Sequence, residues 1–281
     1  MNVGIVGLGY VGTAVETVFK EYYKVITYDI NKKCSAESLD TLVEQTDIIF
    51  LCLPTPMNSN GSCNISIIEN VLSELNNSDN IKDKIIAIKS TISPGTTIDL
   101  QNKYINLNLV FNPEFLTEKN YINDFRNQNR IIIGGKKKNM MIIEKIYKNI
   151  FKNIPIILTD STTAEMVKYL TNTFLATKVS FANEMKVICD NLEINYNQVV
   201  KYSLFDQRLG SSHWNVPGHD GKLGFGGSCL PKDLNSMIFV ANNLGLDLNL
   251  LKSVWKTNIK VRPERDWEKL KGRAVMDDNN E

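Results

Sequence analysis

The chain has 281 residues, in which 32 Lys and Arg balance 31 Asp and Glu to leave a formal net charge of +1. This length predicts about two domains, and the balanced charge argues against nucleic acid or an anionic membrane surface as a partner. Five cysteines without metal-type CxxC spacing, and only two histidines, predict a reduced cytoplasmic protein without a metal site. The apolar runs fall far below the ~18 residues that span a bilayer, and the N-terminus carries no basic signal-peptide region.

Over the first half of the chain, short apolar runs alternate with helical patterns. Runs that end at turn residues are typical of buried strands, and strands that alternate with helices predict a mainly parallel sheet covered on both faces. We therefore expect an α/β domain with a doubly wound, Rossmann-type sheet over residues 1–160. The predicted strands are residues 3–6, 25–28, 48–53, 85–88, 107–111, 130–133 and 155–158. The predicted helices between them are residues 13–19, 66–75, 96–103 and 139–151.

In the second half the pattern becomes helical. Residues 162–192 can form one long helix without proline or glycine, and a second helical run covers residues 231–261. The glycine- and proline-rich stretch 210–227 between them is too polar for a core. The sequence therefore predicts an all-helical second domain over residues 161–262, followed by a charged, solvated tail over residues 263–281.

A glycine motif of the form GxGxxG, at residues 7–12, follows the first predicted strand and opens a helix. In that position the glycines permit a tight turn, a close approach of the backbone to a pyrophosphate, and close helix–strand packing. Asp29 ends the second predicted strand, where its carboxylate would accept a hydrogen bond from a ribose 2′-hydroxyl and repel a 2′-phosphate. NAD is therefore the expected cofactor. Lys32 and Lys33 nearby leave NADP as an alternative, and a glycine turn in a cofactor-free α/β protein is another.

One cysteine stands in a segment that suits chemistry. Cys229 follows the glycine-rich residues 224–227 and precedes Pro231, which favours the start of a helix. The positive end of the helix dipole and the nearby Lys232 would favour the thiolate, which is the nucleophilic form of the side chain. The alternative, a small buried apolar cysteine, fits the other four cysteines better.

Further polar residues collect on the long helix and after one strand. Glu165, Lys168 and Asn172 are spaced i, i+3, i+7 and share one helical face, although a solvated face with an ordinary ion pair would have the same pattern. Glu114 and Glu118 follow a predicted strand at its carboxyl end, where ligands of open α/β sheets collect. Two surface carboxylates placed there by chance are the alternative.

Over residues 1 to about 260, these motifs resemble, in order, those of the UDP-glucose/GDP-mannose dehydrogenase family. The resemblance also rests on Leu53–Pro56, Lys89–Thr91, Asn112–Glu118 and Asp206–Gly210. It implies an NAD-binding Rossmann domain followed by a helical domain like that of 6-phosphogluconate dehydrogenase. The implied reaction is oxidation of the C6 alcohol of a nucleotide sugar, UDP-glucose to UDP-glucuronate, by two successive hydride transfers to NAD. The implied intermediates are a thiohemiacetal and a thioester on Cys229.

The resemblance also implies roles for individual residues, without a metal. The expected catalytic residues are Cys229 as nucleophile, Lys168 and Asn172 as oxyanion donors, and Asp233, Glu118 and Thr91 for water and protons. The expected NAD contacts are Gly7, Gly9, Tyr10, Val11, Gly12, Asp29, Thr55, Thr91, Glu118 and Lys232. The expected substrate contacts are Glu114, Phe115, Leu116, Lys168, Asn172, Arg208, Gly224, Phe225, Gly226 and Gly227. A homodimer through the helical domain is implied, in which Arg208 reaches the substrate of the neighbouring subunit.

Family members usually continue past the central helix into a second α/β domain that closes over the nucleotide, so we expect a short form that lacks it. The loop 211–222 is longer than usual and would bring Trp214, His213 or Lys222 to the substrate, unless it is a surface insertion. Three other functions stay open. They are a dehydrogenase for another nucleotide sugar (a UDP-N-acetylhexosamine or GDP-mannose), a hydroxyacid dehydrogenase with one hydride transfer, and a non-catalytic NAD-binding protein.

Overall fold

The computed structural model describes residues 1–277, and these residues form two compact units. The first unit holds Met1–Thr55 and Ile65–Lys168, and the second holds Pro56–Asn64 and the residues from Tyr169 onward.

The first unit is built on a single seven-stranded sheet. The strands are β1 (Asn2–Val6), β2 (Lys24–Tyr28), β3 (Ile48–Leu51), β4 (Ile85–Ile88), β5 (Asn108–Phe111), β6 (Ile131–Gly135) and β7 (Ile156–Thr159). Their order in the sheet is β2-β1-β3-β4-β5-β6-β7, and all neighbouring pairs are parallel except β5 and β6. The prediction of a mainly parallel, doubly wound sheet is confirmed.

Apolar side chains on both faces of the sheet explain why helices cover it on both sides. Successive side chains of a strand point to opposite faces, so Ile48 and Phe50 of β3 enter one core while Ile49 and Leu51 enter the other. Helices of the first unit cover both cores. They are α1 (Tyr10–Phe19), α2 (Leu39–Gln45), α3 (Ser66–Asn76), α4 (Thr96–Lys103), α5 (Tyr121–Arg126) and α6 (Lys137–Ile150).

The second unit is helical, as predicted. The predicted helical run over residues 231–261 is two helices, because Gly245 adopts a left-handed backbone with φ +72° that ends the first of them. No helix within residues 1–277 is long and apolar enough to cross a bilayer. The helices are α7 (Ser161–Asn191), α8 (Tyr196–Ser203), α9 (Cys229–Asn243) and α10 (Asn249–Val261), with short 3-10 helices at Gln207–Leu209 and Asp266–Lys269.

The boundary between the units differs from the predicted one at residue 160. The first turns of α7 belong to the first unit, where Ala164 lies in the core and the Glu165 carboxylate accepts hydrogen bonds from Gly95 and Thr97. These contacts extend the first unit to Lys168.

The predicted solvated tail over residues 263–281 is wrong for its described part. Trp267 is only 1% exposed and packs against Trp255 with ring centroids 5.2 Å apart. Ala274 is also buried, and its carbonyl accepts a hydrogen bond from the Met57 backbone N–H at 2.9 Å. Burial of a large indole outweighs the surrounding charges, so the segment folds onto the second unit. Residues 278–281 of the predicted tail lie outside the described residues.

Candidate active site

The glycine turn between β1 and α1 shows why each glycine is needed. Gly7 has φ +89°, and a Cβ added to Gly12 would lie 1.8 Å from the Gly7 carbonyl oxygen. A side chain is therefore excluded at both positions by the packing of the chain on itself. A Cβ added to Gly9 would meet no atom within 4 Å, so the space in front of the first residue of α1 is open. This arrangement fits a pyrophosphate at the helix N-terminus.

Asp29 at the end of β2 is already held by two backbone N–H groups. Its Oδ2 accepts from Leu8 at 2.6 Å, and its Oδ1 accepts from Asn31 at 2.8 Å. An ionised carboxylate has about four acceptor sites, so room remains for ribose hydroxyls. The Lys32 ammonium donates to the Leu8 carbonyl instead of standing free for a 2′-phosphate. The residues present therefore fit NAD.

Two predicted residues meet at the carboxyl edge of the sheet. Thr55 follows β3 and Thr91 follows β4, and both are buried. The Thr55 hydroxyl donates to the Thr91 carbonyl at 2.8 Å, which joins the two segments where ligands of parallel sheets bind. Glu118 lies half-buried on the segment after β5.

Lys168 contacts a carboxylate and an aromatic ring of the first unit. Its Nζ lies 3.3 Å from Glu114 Oε1 and 5.3 Å from the Phe115 ring centroid, and its side chain is 3% exposed. The other oxygen of Glu114 accepts from the Leu116 backbone N–H at 2.6 Å. The partly buried residues 114–116 and the buried Lys168 thus form one charge-balanced group, in which Glu114 and Phe115 fix the position of the ammonium.

Arg130 was not identified from the sequence, yet it joins this group. Its guanidinium carbon lies 4.1 Å from the Phe115 ring centroid, on a segment that leads into β6. Because β6 runs antiparallel to β5, its N-terminal end lies at the carboxyl end of β5. No local pattern signals this placement, since it follows from strand direction.

Lys89 lies in the segment Lys89–Thr91, which carries part of the family resemblance, but no role was predicted for its side chain. It is 2% exposed, and its ammonium donates to the Asn112 carbonyl and side-chain oxygens at 3.2 Å and to the Tyr147 hydroxyl at 3.3 Å. Burial lowers the pKa of Lys89 to about 8, although the nearby Cys52 and Glu114 oppose this shift. The network anchors Asn112, two residues before Glu114.

In the second unit, Cys229 is the first residue of α9 and is partly exposed. Its Sγ lies 3.7 Å from the Ser228 hydroxyl. The Lys232 ammonium, one turn further, lies 2.6 Å from Asp233 Oδ1. Burial acts to lower the pKa of Lys232, but Asp233 and the thiols of Cys63 and Cys229 together raise it, so Lys232 stays charged near the cysteine.

Asp233 lies between two donors of the same unit. It is 1% exposed, and its Oδ2 accepts from the Asn172 side-chain amide at 2.5 Å, while Lys232 holds its Oδ1. The predicted residues Asn172, Lys232 and Asp233 are therefore brought into one hydrogen-bonded group close to Cys229.

The other cysteines differ in their surroundings. Cys52 is buried in the first unit, where burial raises the pKa of its thiol to about 12, so it stays protonated and inert. Cys189 is buried in a small core of the second unit. Cys63 and Cys34 are partly buried, and the Cys34 thiol donates to the carbonyls of Asp29 and Ala36.

The glycine segment before Cys229 is anchored by Phe225. Its ring is buried beside Leu234 and Val254, so this predicted substrate contact has its side chain in the core. Its backbone N–H donates to Asn258 Oδ1 at 2.7 Å, and its carbonyl accepts from the Asn258 amide at 2.9 Å. Asn258 was missed from the sequence because it lies 33 residues away.

The loop 211–222 packs within the second unit. The Trp214 indole donates to the Gly210 carbonyl at 2.9 Å, and the Lys178 ammonium lies 4.8 Å from its ring centroid. Lys222 lies 3.4 Å from a Glu264 oxygen, and burial lowers the pKa of His213. Arg208 is exposed and paired with Asp206. Trp214 and Lys222 therefore make these contacts with other residues of the second unit.

The fold and glycine turn define a protein with a dinucleotide-binding domain followed by a helical domain. The NAD-binding domain of the UDP-glucose/GDP-mannose dehydrogenase family matches residues 33–154, and the family's central domain matches residues 162–260. The chain belongs to this family. The predicted family and NAD-binding domain are thus confirmed.

Individual relatives are similar to this chain over most of its length. A UDP-glucose 6-dehydrogenase of Rickettsia conorii is 34% identical over 233 residues, 81% of this chain and 52% of the relative, so the chain spans about half of that protein. UDP-glucose 6-dehydrogenase AglM of Haloferax volcanii is 30% identical, with 99% of this chain and 74% of the relative covered. A solved UDP-glucose dehydrogenase of Pyrobaculum islandicum has a TM-score of 0.83 at 28% identity, with 92% of this chain and 68% of that structure covered.

Proposed function

We propose that this chain is an NAD-dependent dehydrogenase that oxidises the C6 alcohol of UDP-glucose to the carboxylate. The observation that carries the proposal is Cys229 at the start of α9, with the charged pair of Lys232 and Asp233 beside it. A cysteine nucleophile suits an oxidation that must continue past an aldehyde, because it can hold that aldehyde covalently. The names of the relatives support UDP-glucose as the sugar.

The first oxidation needs a base and an oxyanion partner. NAD, when bound, accepts a hydride at each oxidation. As the C6 hydroxyl loses its proton and C6 loses a hydride, the buried Lys168 ammonium stabilises the negative charge on oxygen. The Asn172 amide, four residues on, supplies a second donor, and such a donor contributes roughly 3 kcal/mol to a transition state. Glu118 or Asp233, through water, takes the proton.

Cys229 carries the second oxidation. Its thiolate attacks the aldehyde carbon, the C–S bond forms, and the carbonyl oxygen takes a proton to give a thiohemiacetal. Loss of a second hydride from C6 and of the hydroxyl proton gives a thioester. Water, positioned by Asp233, then attacks the thioester carbon and expels the thiolate. Each sugar thus consumes one water and two NAD, and releases two NADH and three protons.

The test is the yield of NADH per sugar with UDP-glucose, UDP-N-acetylglucosamine, UDP-galactose and GDP-mannose. We expect about two NADH for each UDP-glucose consumed, and no complete turnover by Cys229→Ser. Cys189→Ala, which changes a buried cysteine elsewhere in the second unit, is the control and should keep the yield. One NADH per sugar with a dispensable Cys229 would contradict the proposal and favour a single-step dehydrogenase. NAD binding without any NADH would favour a non-catalytic protein.

We also propose a homodimer through the helical domain. On α7, Leu170, Phe174, Phe181 and Ile188 are spaced to lie on one face, and Leu192 follows directly after the helix. Their exposures range from 48% to 64%. A contiguous exposed apolar stripe of this kind is typical of a protein interface. A second copy, bringing the same stripe, would bury it in a two-fold arrangement.

A further inference from the structure

Helix α10 and Arg262, the residue that follows it, both contact the glycine segment before Cys229. Asn258 on α10 is completely buried and makes both backbone hydrogen bonds of Phe225. The Gly224 backbone N–H, one residue earlier, donates to Asn183 Oδ1 at 3.2 Å. The side-chain amide of Asn258 therefore satisfies the backbone N–H and carbonyl of Phe225, as a neighbouring strand would do.

One turn further, Arg262 packs against Gly226 of the same segment and binds residues just before it. It is 1% exposed, and its guanidinium donates to Asp220 Oδ2 at 2.6 Å, to both oxygens of Asp266 at 2.7 Å, and to the Leu223 carbonyl at 3.2 Å. Asp220 belongs to the long loop 211–222. A planar guanidinium suits such a site because its donors bind carboxylates in a fixed geometry.

The glycines of the segment are explained by this contact. A Cβ at Gly224 would lie 2.4 Å from Asn258 Oδ1, and a Cβ at Gly226 would lie 2.4 Å from an Arg262 nitrogen. Gly224 and Gly227 also have φ of +65° and +72°. Such a backbone has many accessible conformations without outside restraint.

We propose that Asn258 and Arg262 are positioning residues that hold the segment 224–228, and with it the Cys229 sulfur, at the start of α9. The long loop 211–222 then has a role, since its Asp220 completes the binding site for the Arg262 guanidinium. The catalytic meaning of this restraint rests on the proposed function, but the position of the sulfur does not.

The test is the rate at which iodoacetamide alkylates Cys229, read by peptide mass spectrometry so that the other thiols are counted separately. This readout needs no sugar and no NADH. We compare Asn258→Leu, which removes both bonds to Phe225 at similar volume, and Arg262→Lys, which keeps the charge but not the planar fork. Lys256→Met, an exposed change on α10, is the matched control.

We expect Asn258→Leu to slow alkylation at pH 7 at least ~5-fold and to change its pH profile, because the sulfur would move relative to the N-terminus of α9 and to the Lys232 ammonium. Arg262→Lys should give an intermediate change, and Lys256→Met none. The groups that interact with the Lys232 ammonium are Asp233, Cys63 and Cys229, so a displaced sulfur would lose part of the influence of that ammonium.

The variant Met185→Ala distinguishes a general loss of stability from a change in the position of Cys229. It removes packing in another core cluster of the second unit. It should lower the midpoint of thermal unfolding and leave the pH profile of Cys229 unchanged. Equal pH profiles in the native protein, Asn258→Leu and Arg262→Lys would overturn the inference. If the native protein forms no NADH while the profiles differ, the proposed function fails and the positioning role stands.

Discussion

Lys89 carries a positive charge into the first unit, and within residues 1–277 no carboxylate lies within 4 Å of it. Its three hydrogen bonds go to neutral oxygens of Asn112 and Tyr147. Removal of an ammonium from water disfavours the charged form, and this burial lowers its pKa from 10.5 to about 8. Lys89 therefore makes stability depend on pH in an unusual range.

We expect the free energy of unfolding to rise between pH 8 and 10.5. In that window the unfolded chain still binds the proton that the folded chain has released, so the slope is positive, and the total is at most about 3 kcal/mol. Urea unfolding from pH 7.5 to 9.5 measures it. The rise should be absent in Lys89→Met and present in Lys145→Met, which changes an exposed lysine on α6. Parallel curves for the native protein and Lys89→Met would refute the assignment.

The glycine turn gives a second prediction at single residues. Gly9→Ala places its methyl group in open space, so we expect an unchanged unfolding midpoint but at least ~10-fold weaker NAD binding. Gly12→Ala drives its methyl group into the Gly7 carbonyl, so the first unit itself should be destabilised. Calorimetric titration with NAD and thermal unfolding separate the two effects. Unweakened binding by Gly9→Ala would place the pyrophosphate elsewhere.

At the scale of elements, α7 and α4 are joined by one buried carboxylate. Glu165 accepts from the Gly95 backbone N–H at 2.6 Å and from the Thr97 backbone N–H at 2.8 Å, so it caps the N-terminus of α4 from another helix. Burial raises the pKa of Glu165 to about 7, against hydrogen bonds from Thr97 and Gly95 that favour the ionised form. Glu165, which was predicted to share a helical face with Lys168 and Asn172, therefore has a structural role as the cap of α4.

For Glu165, the folded state keeps a proton between pH 4.5 and 7 that the unfolded state has lost. The free energy of unfolding should therefore fall as pH rises through this window, by up to about 3 kcal/mol. Glu165→Gln cannot ionise, so its difference from the native protein should follow this fall. Glu74→Gln, exposed on α3, is the control. Chemical unfolding at pH 5 and pH 7.5 checks the sign, and an opposite sign would mean that the hydrogen bonds outweigh burial.

At the scale of the whole molecule, the exposed stripe on α7 predicts the oligomeric state. Phe174→Glu puts a charge within the stripe, where burial without a partner is costly. We therefore expect this variant to be a monomer and the native protein to sediment as a dimer. Ile105→Glu changes an even more exposed apolar residue of the first unit and should leave the dimer intact. A native monomer in analytical ultracentrifugation would contradict the dimer.

Much of the fold could be predicted because its signals are local. All seven strands of the sheet follow short apolar runs, and the long helix begins at Ser161, one residue from its predicted start. The helices α2 and α5 were missed because seven and six residues are too few to show a helical period. The buried Trp267 was missed because its neighbours in sequence are charged, whereas in the fold its ring packs against Trp255.

By itself, the sequence determined the two-domain order, the glycine turn for NAD, and a cysteine at a helix start, because each depends on residues within one or two turns of chain. Only the tertiary structure decided which distant side chains act on them. Asn258 bonds Phe225 across 33 residues, Arg262 bonds Leu223 across 39 residues, and the pKa values of Lys89 and Glu165 follow from burial. Distance between remote residues and removal from water arise only when the chain folds, so no local pattern encodes them.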